Sequence, residues 1–294
     1  MRSLSALIHR EYLEHRGAFL YAPVVLLLLF TAAMVSALVM HGGEFPFKLA
    51  VSTALRFYEV AFLALGGLWF LYLLVALFFY YADAFNADRR NNAMLFWKSM
   101  PLTDFKVLAS KMLAGMTLLP ALIFAMLIIT GLVLYGLTGL AVIVQPRLPF
   151  PAIPDIVTSS LQIALYAMVY LALALLWYAP FFAWVGSLST VVGRWSIPLA
   201  FLVPAVAVFA ERLFVRDAGP GGGMIVDYLR ERVRFGPEHM DMRASFFTDD
   251  RFDASQMIGN LLASIDWAQL GGGLIVAVVL VYLASEYRRR VLAI

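Results

Sequence analysis

Long apolar runs alternate with short polar segments along the whole chain. Six runs lack Asp, Glu, Lys, Arg and His altogether: Phe19–Met40, Val60–Ala82, Met112–Tyr135, Ser160–Ala183, Trp195–Ala210 and Leu270–Ser285. A helix needs about 20 apolar residues to cross the hydrocarbon core of a bilayer. Four runs meet that length and the last two fall a little short. The pattern therefore predicts an all-α membrane protein with six transmembrane helices. Pro180, Pro198 and Pro204 each remove a backbone donor, so the fourth and fifth helices are expected to kink.

Six spans place both termini on one side. The short segments on that side, 1–18, 83–111, 184–195 and 286–294, hold 12 Lys and Arg, against 3 in the two short loops opposite. An excess of Lys and Arg marks the cytosolic side, so both termini and the 83–111 segment are expected in the cytosol. The long segment 211–267 is then external; it carries seven Arg and ten acidic residues and contributes nothing to orientation, because long loops translocate regardless of charge.

The polar segments add detail. Leu4, Leu7, Ile8 and Tyr12 share one helical face, with Arg2, Arg10, Glu14 and Arg16 elsewhere. Residues 1–18 thus read as an amphipathic interfacial helix that turns at Gly17 into the first span, or more simply as a charged tail. In the external segment, Met257, Ile258, Leu261, Leu262 and Ile265 form one apolar face opposite Gln256, Asn260 and Ser264. Ile225, Leu229 and Val233 mark a second short helix bearing Arg230, Arg232 and Arg234. These helices read either as a vestibule over an exit path or as a solvated loop held on the bundle.

The interruption at Asp83–Lys111 is the most distinctive stretch. Asp88-Arg89-Arg90 lies just past the second span. A short helix over Asn91–Met100 follows, presenting Leu95, Phe96, Trp97 and Met100, and Pro101 ends it. Thr103-Asp104 is suited to cap the next helix. Protruding aromatics flanked by Lys98 and Arg90 suit a groove on a soluble partner. Phe96 and Trp97 equally suit an aromatic belt at the membrane surface.

Composition narrows the function classes. The chain is 63% hydrophobic and 14% charged, with mean hydropathy +0.85 and net charge +3. Soluble domains are about 45–50% apolar and about 25% charged. No basic stripe with interleaved stacking aromatics appears, so nucleic acid is not an expected partner. There are no cysteines, which excludes disulfides and thiolate chemistry. His9, His15, His41 and His239 have no metal-ligand spacing. The expected spans contain no ionisable group, which argues against a proton-coupled transporter or an intramembrane metalloprotease. Neither Gly219–Gly223 nor Gly271–Gly273 carries the Lys and hydroxyl of a phosphate loop, so both read as turn or packing glycines.

The order Asp88-Arg89-Arg90, then Leu95-Phe96-Trp97-Lys98-Ser99-Met100-Pro101-Leu102-Thr103, then Lys111 resembles the first cytosolic loop of the ABC-2-type transporter permeases. The resemblance extends to the six-span layout, the N-terminal interfacial helix, a small-residue cytosolic turn at Gly186–Arg194 and a membrane-lying region before the last span. Asp88 stands where the family has Glu, and Asn91-Asn92-Ala93 replaces its Gly-Thr.

The resemblance implies one ABC-2-type transmembrane domain over residues 1–294, with 83–111 as the cytosolic coupling segment. It implies two copies of the chain, as a homodimer or with a related chain, each binding one separate ATPase subunit. ATP and Mg2+ would sit in that partner, and this chain would have neither cofactor nor catalytic residues. Asp88, Arg89, Arg90, Leu95, Phe96, Trp97, Lys98, Met100, Pro101 and Leu102 would form the docking site. The expected location is a bacterial inner membrane, in contact with its lipid. A path lined by Phe, Met, Leu and Tyr suits apolar or amphipathic cargo. The alternative is a non-transporting membrane enzyme or scaffold acting through 211–267, with His239 its first candidate residue.

Overall fold

The computed structural model describes residues 2–40, 54–90, 103–144, 151–214, 223–236 and 252–291. Nine α-helices lie in these stretches: α1 (Arg2–Glu14), α2 (Ala22–Met40), α3 (Ala54–Arg90), α4 (Asp104–Val144), α5 (Ile153–Val192), α6 (Ser196–Phe214), α7 (Met224–Val233), α8 (Ala254–Ser264) and α9 (Trp267–Val291). No strand occurs among the described residues. Five helical stretches are long and apolar enough to cross a membrane: Gly17–Met40, Leu55–Asp88, Asp104–Leu140, Ile153–Phe214 and Trp267–Arg290. Helix is the form such sequences take in lipid, where each backbone donor and acceptor must be satisfied within the segment.

Three helices outrun the spans expected from hydropathy. α3, α4 and α5 have 37, 41 and 40 residues. At 1.5 Å per residue they are about 55–60 Å long, roughly twice the hydrocarbon thickness of about 30 Å. Apolar composition marks only the part of a helix that faces lipid. The ends continue because α3, α4 and α5 pack there too, through Tyr58, Ala84, Phe85, Leu108 and Ile156 in the same core as Leu73 and Leu119.

The stretch Ile153–Phe214 would reach about 93 Å if straight. It breaks instead at Gly193, whose φ of +60° is a left-handed value open to glycine. A 3-10 turn at Gly193–Trp195 follows, and α6 folds back on α5, where Trp184 Nε1 donates to Ala200 O at 3.4 Å. The turn expected at Gly186–Arg194 is therefore confined to its last residues. Gly186 lies within α5, and its small size has another cause: a Cβ there would sit 3.0 Å from the Phe85 ring. Ser189 likewise remains helical and donates to Gly186 O at 2.8 Å, with Tyr81 O at 3.4 Å.

Pro180 and Pro204 sit inside α5 and α6 as expected. Pro198 is the third residue of α6 and breaks nothing, since the first-turn N–H groups have no intrahelical partner. The N-terminal segment is helical, and the turn into the first span is a π-helix at Gly17–Tyr21. The cap expected at Thr103 is present, with Lys106 N donating to its Oγ1 at 3.3 Å. The helix that carries the third expected span thus begins at Asp104, eight residues before Met112.

Both helices expected within the 211–267 segment form. On α8, Leu261 is fully buried, Ile265 caps its end nearly buried, and Leu262 remains exposed. On α7 the expected apolar face holds in part: Ile225 and Leu229 are half-buried, but Val233 is exposed and Arg232 is the residue turned inward.

Candidate functional site

A buried ion network occupies the end of the bundle next to the 83–111 segment. Glu11 of α1, Asp88 of α3, Lys111 of α4 and Arg288 of α9 are each 3% exposed or less. Asp88 is the hub. Its Oδ1 lies 3.2 Å from Lys111 Nζ and its Oδ2 accepts from Arg288 Nη1 at 3.0 Å. Lys111 Nζ also donates to Ala84 O at 2.7 Å and lies 3.5 Å from Glu11 Oε1. Arg288 Nε lies 2.9 Å from Asp104 Oδ1, close enough for attraction but out of line for a hydrogen bond. Arg10, partly exposed, completes the set 3.9 Å from Asp88 Oδ1. Three carboxylates (Glu11, Asp88, Asp104) thus face three cations (Arg10, Lys111, Arg288). Balance is what such burial requires, because a desolvated charge without a partner costs several kcal/mol.

A hydroxyl joins the network from within the second span. Tyr80 Oη lies 3.0 Å from Glu11 Oε2 and 3.1 Å from Lys111 O, so one proton serves two acceptors. The neighbouring Tyr81 donates to Met112 O at 2.7 Å. Gly115 admits the Tyr81 ring, with which any side chain there would collide.

Of the residues expected at the docking site, Asp88 belongs to this network. Arg90 is exposed and donates from Nη1 and Nη2 to the two carboxylate oxygens of Asp83. The side chain of Arg89, the helix expected at Asn91–Met100, and Leu95, Phe96, Trp97, Lys98, Met100, Pro101 and Leu102 lie outside the described residues, as does His239.

Sequence reading missed Glu11, Asp104 and Arg288 as members of a site. Two of them carried a signal. Glu11 stands three and four residues after Ile8 and Leu7, so it falls on the apolar stripe of α1. Arg288 continues the buried series Ala277, Val281, Ala284 along α9.

Other polar clusters are separate. Near the far end of α3, Glu59 is buried, lies 2.9 Å from Arg56 Nη1, and accepts from Ser159 Oγ at 2.6 Å. Twenty-nine residues of helix put it about 44 Å from Asp88. Between these ends, a cavity of about 230 Å³ is lined by Phe62, Gly66, Phe124, Leu127, Tyr166 and Tyr170 of α3, α4 and α5. Its walls are almost wholly apolar; Tyr166, Tyr170 and Trp69 are the side chains there that carry a polar group. Beside the α1–α2 turn, a crevice of about 430 Å³ runs from His15 and Asp83 down to Ala22, Val75 and Phe79.

Glu11, Glu14 and His15 could bring ligand atoms within 4.8 Å of one another. The carboxylates are already engaged, Glu11 by Lys111 and Tyr80, and Glu14 by Arg10 at 2.6 Å. Burial lowers the pKa of His15, opposed by the nearby carboxylates of Glu11, Glu14 and Asp83. Its ring packs edge-on against Tyr80.

No protein-family model, curated protein or solved structure matches the chain. Fold and composition define an all-α protein with helices able to span a membrane, carrying a charge network where α1, α3, α4 and α9 meet.

Proposed function

We propose that this chain is the permease subunit of an ABC-2-type exporter, with six spans, both termini in the cytosol and 211–267 outside. The ion network is the observation that supports the reading best. Segment 91–102 leaves α3 two residues after Asp88 and leads to α4, which begins seven residues before Lys111, and those two side chains are bonded to each other. A push on the segment therefore acts on a fixed base. Through Glu11 and Arg288 the same base holds the first and last helices of the chain. Such an arrangement suits a lever driven from the cytosol.

On this reading a separate ATPase subunit, which holds ATP and Mg2+, docks on Phe96, Trp97, Met100 and Pro101 of each of two permease copies. ATP binding and hydrolysis move the segment, the network carries the motion into α1, α3, α4 and α9, and an apolar or amphipathic molecule leaves the membrane. The chain itself performs no chemistry. The test is co-purification from the native membrane with wild type and with Trp97→Asp. An ATPase subunit is expected with the wild type and lost in the variant; undiminished binding in the variant defeats the docking claim.

A further inference from the structure

Arg232 is the one side chain of α7 that is turned fully inward, with 1% of its surface exposed. It enters the junction of α5 and α9. Its guanidinium lies 4.4 Å from the Trp177 ring, a cation–π contact, and Nη1 donates to Gln269 O at 2.9 Å. Gly273 makes the entry feasible, since any side chain there would collide with Nη2. The α7 backbone is pinned at the same place: Trp177 Nε1 donates to Arg232 O and Tyr178 Oη to Val233 O, both at 2.8 Å.

The guanidinium is nevertheless half unused. Nε and Nη2 are buried and have no hydrogen-bond partner among the described residues. No carboxylate among the described residues lies within ion-pair distance: of the acids on its own helix, Glu231 is exposed and Asp227 faces Arg230. Nε–H and one Nη2–H point the same way and form the edge that grips two coplanar oxygens of a carboxylate or phosphate. Gly271 and Gly272, which precede Gly273 on α9, have nothing within 4 Å of where a side chain would begin. A buried cation with a vacant bidentate edge costs several kcal/mol unless an anion joins it.

Depth narrows the ligand. Gly273 stands 15 residues before Arg288 on α9, about 22 Å from the ion network, which on the proposed topology lies in the outer leaflet. On the same helix, two and three residues past Gly273, the apolar side chains of Ile275 and Val276 are exposed. We infer that Arg232 is a receptor for the oxyanion of an amphiphile, a carboxylate or phosphate carried on an apolar tail. This rests on the transport reading only in making that amphiphile the cargo. The binding itself needs no ATPase, so the two ideas fail separately.

The test uses the purified full chain in neutral detergent, with oleate, oleyl alcohol and inorganic phosphate as probes of thermal stability. Oleate should stabilise the wild type saturably and oleyl alcohol should not. Arg232→Gln should weaken oleate binding at least tenfold, and should melt no lower than wild type without ligand, since it removes an unpaired buried charge. Arg232→Lys, which keeps the charge without the fork, should also weaken binding about tenfold, one bidentate contact being worth roughly that. Stabilisation by phosphate as well would show that the oxyanion suffices; stabilisation by oleate alone would show that the tail is required. Equal effects of oleate and oleyl alcohol, or unchanged oleate affinity in both variants, would overturn the proposal.

Discussion

Replacing Asp88 by Asn keeps the shape of the hub and removes its charge. Lys111 then retains Ala84 O and Glu11, and Arg288 retains Asp104, so neither cation is fully stranded. The three-against-three balance is lost all the same, and one positive charge is left over in a place 1% exposed. Removing one partner of a buried pair costs about 3–5 kcal/mol. The remaining partners put the expected loss near the lower figure, about 3 kcal/mol. At roughly 2–4 °C per kcal/mol, the melting midpoint should fall by about 6–12 °C. The six tryptophans allow the melt to be followed by intrinsic fluorescence in detergent. A second substitution, Arg288→Met, restores the balance and should recover part of the loss in the double variant. An Asp88→Asn protein melting within 2 °C of wild type would refute the reasoning, as would a double variant less stable than the sum of its single changes.

Gly186→Val places a side chain against the Phe85 ring and should cost about 1–3 kcal/mol through overpacking, read from the same melt. His15 has a folded pKa below its ordinary value of 6.5, chiefly through burial. Its contribution is therefore complete above pH 6.5 and is lost as pH falls below that toward the folded value; His15→Asn should flatten the wild-type decline in melting temperature over this window. The chain has no cysteine to remove, so Lys98→Cys and Lys48→Cys can be labelled singly in intact cells. An impermeant maleimide should modify position 48 and reach position 98 only after permeabilisation; labelling of position 98 from outside reverses the topology.

Much of the architecture was legible because lipid exposure imposes a coarse rule on composition. The runs at Val60–Ala82 and Met112–Tyr135 do lie inside α3 and α4. What composition cannot show is where a helix continues after it stops facing lipid. Glu59 is held by Arg56 and Ser159 within a helical bundle, yet in sequence it reads as a loop charge. The same blindness hid the network. Asp88 and Lys111 stood out because they belong to the polar interruption at Asp83–Lys111, whereas Arg288 is 200 residues from its partner. Arg232 shows the converse: α7 alternates apolar and charged residues closely enough that periodicity favoured Val233, and only tertiary packing against Trp177 and Gly273 turns the cation inward.

A photo-crosslinking residue in place of Trp97, activated in the native membrane, asks which molecule lies against the 91–102 segment. Cross-linking to an ATP-binding-cassette subunit, diminished when Pro101 and Met100 are replaced by Asp, is the predicted result. Adducts only with lipid or with the chain itself would contradict a permease driven through this segment.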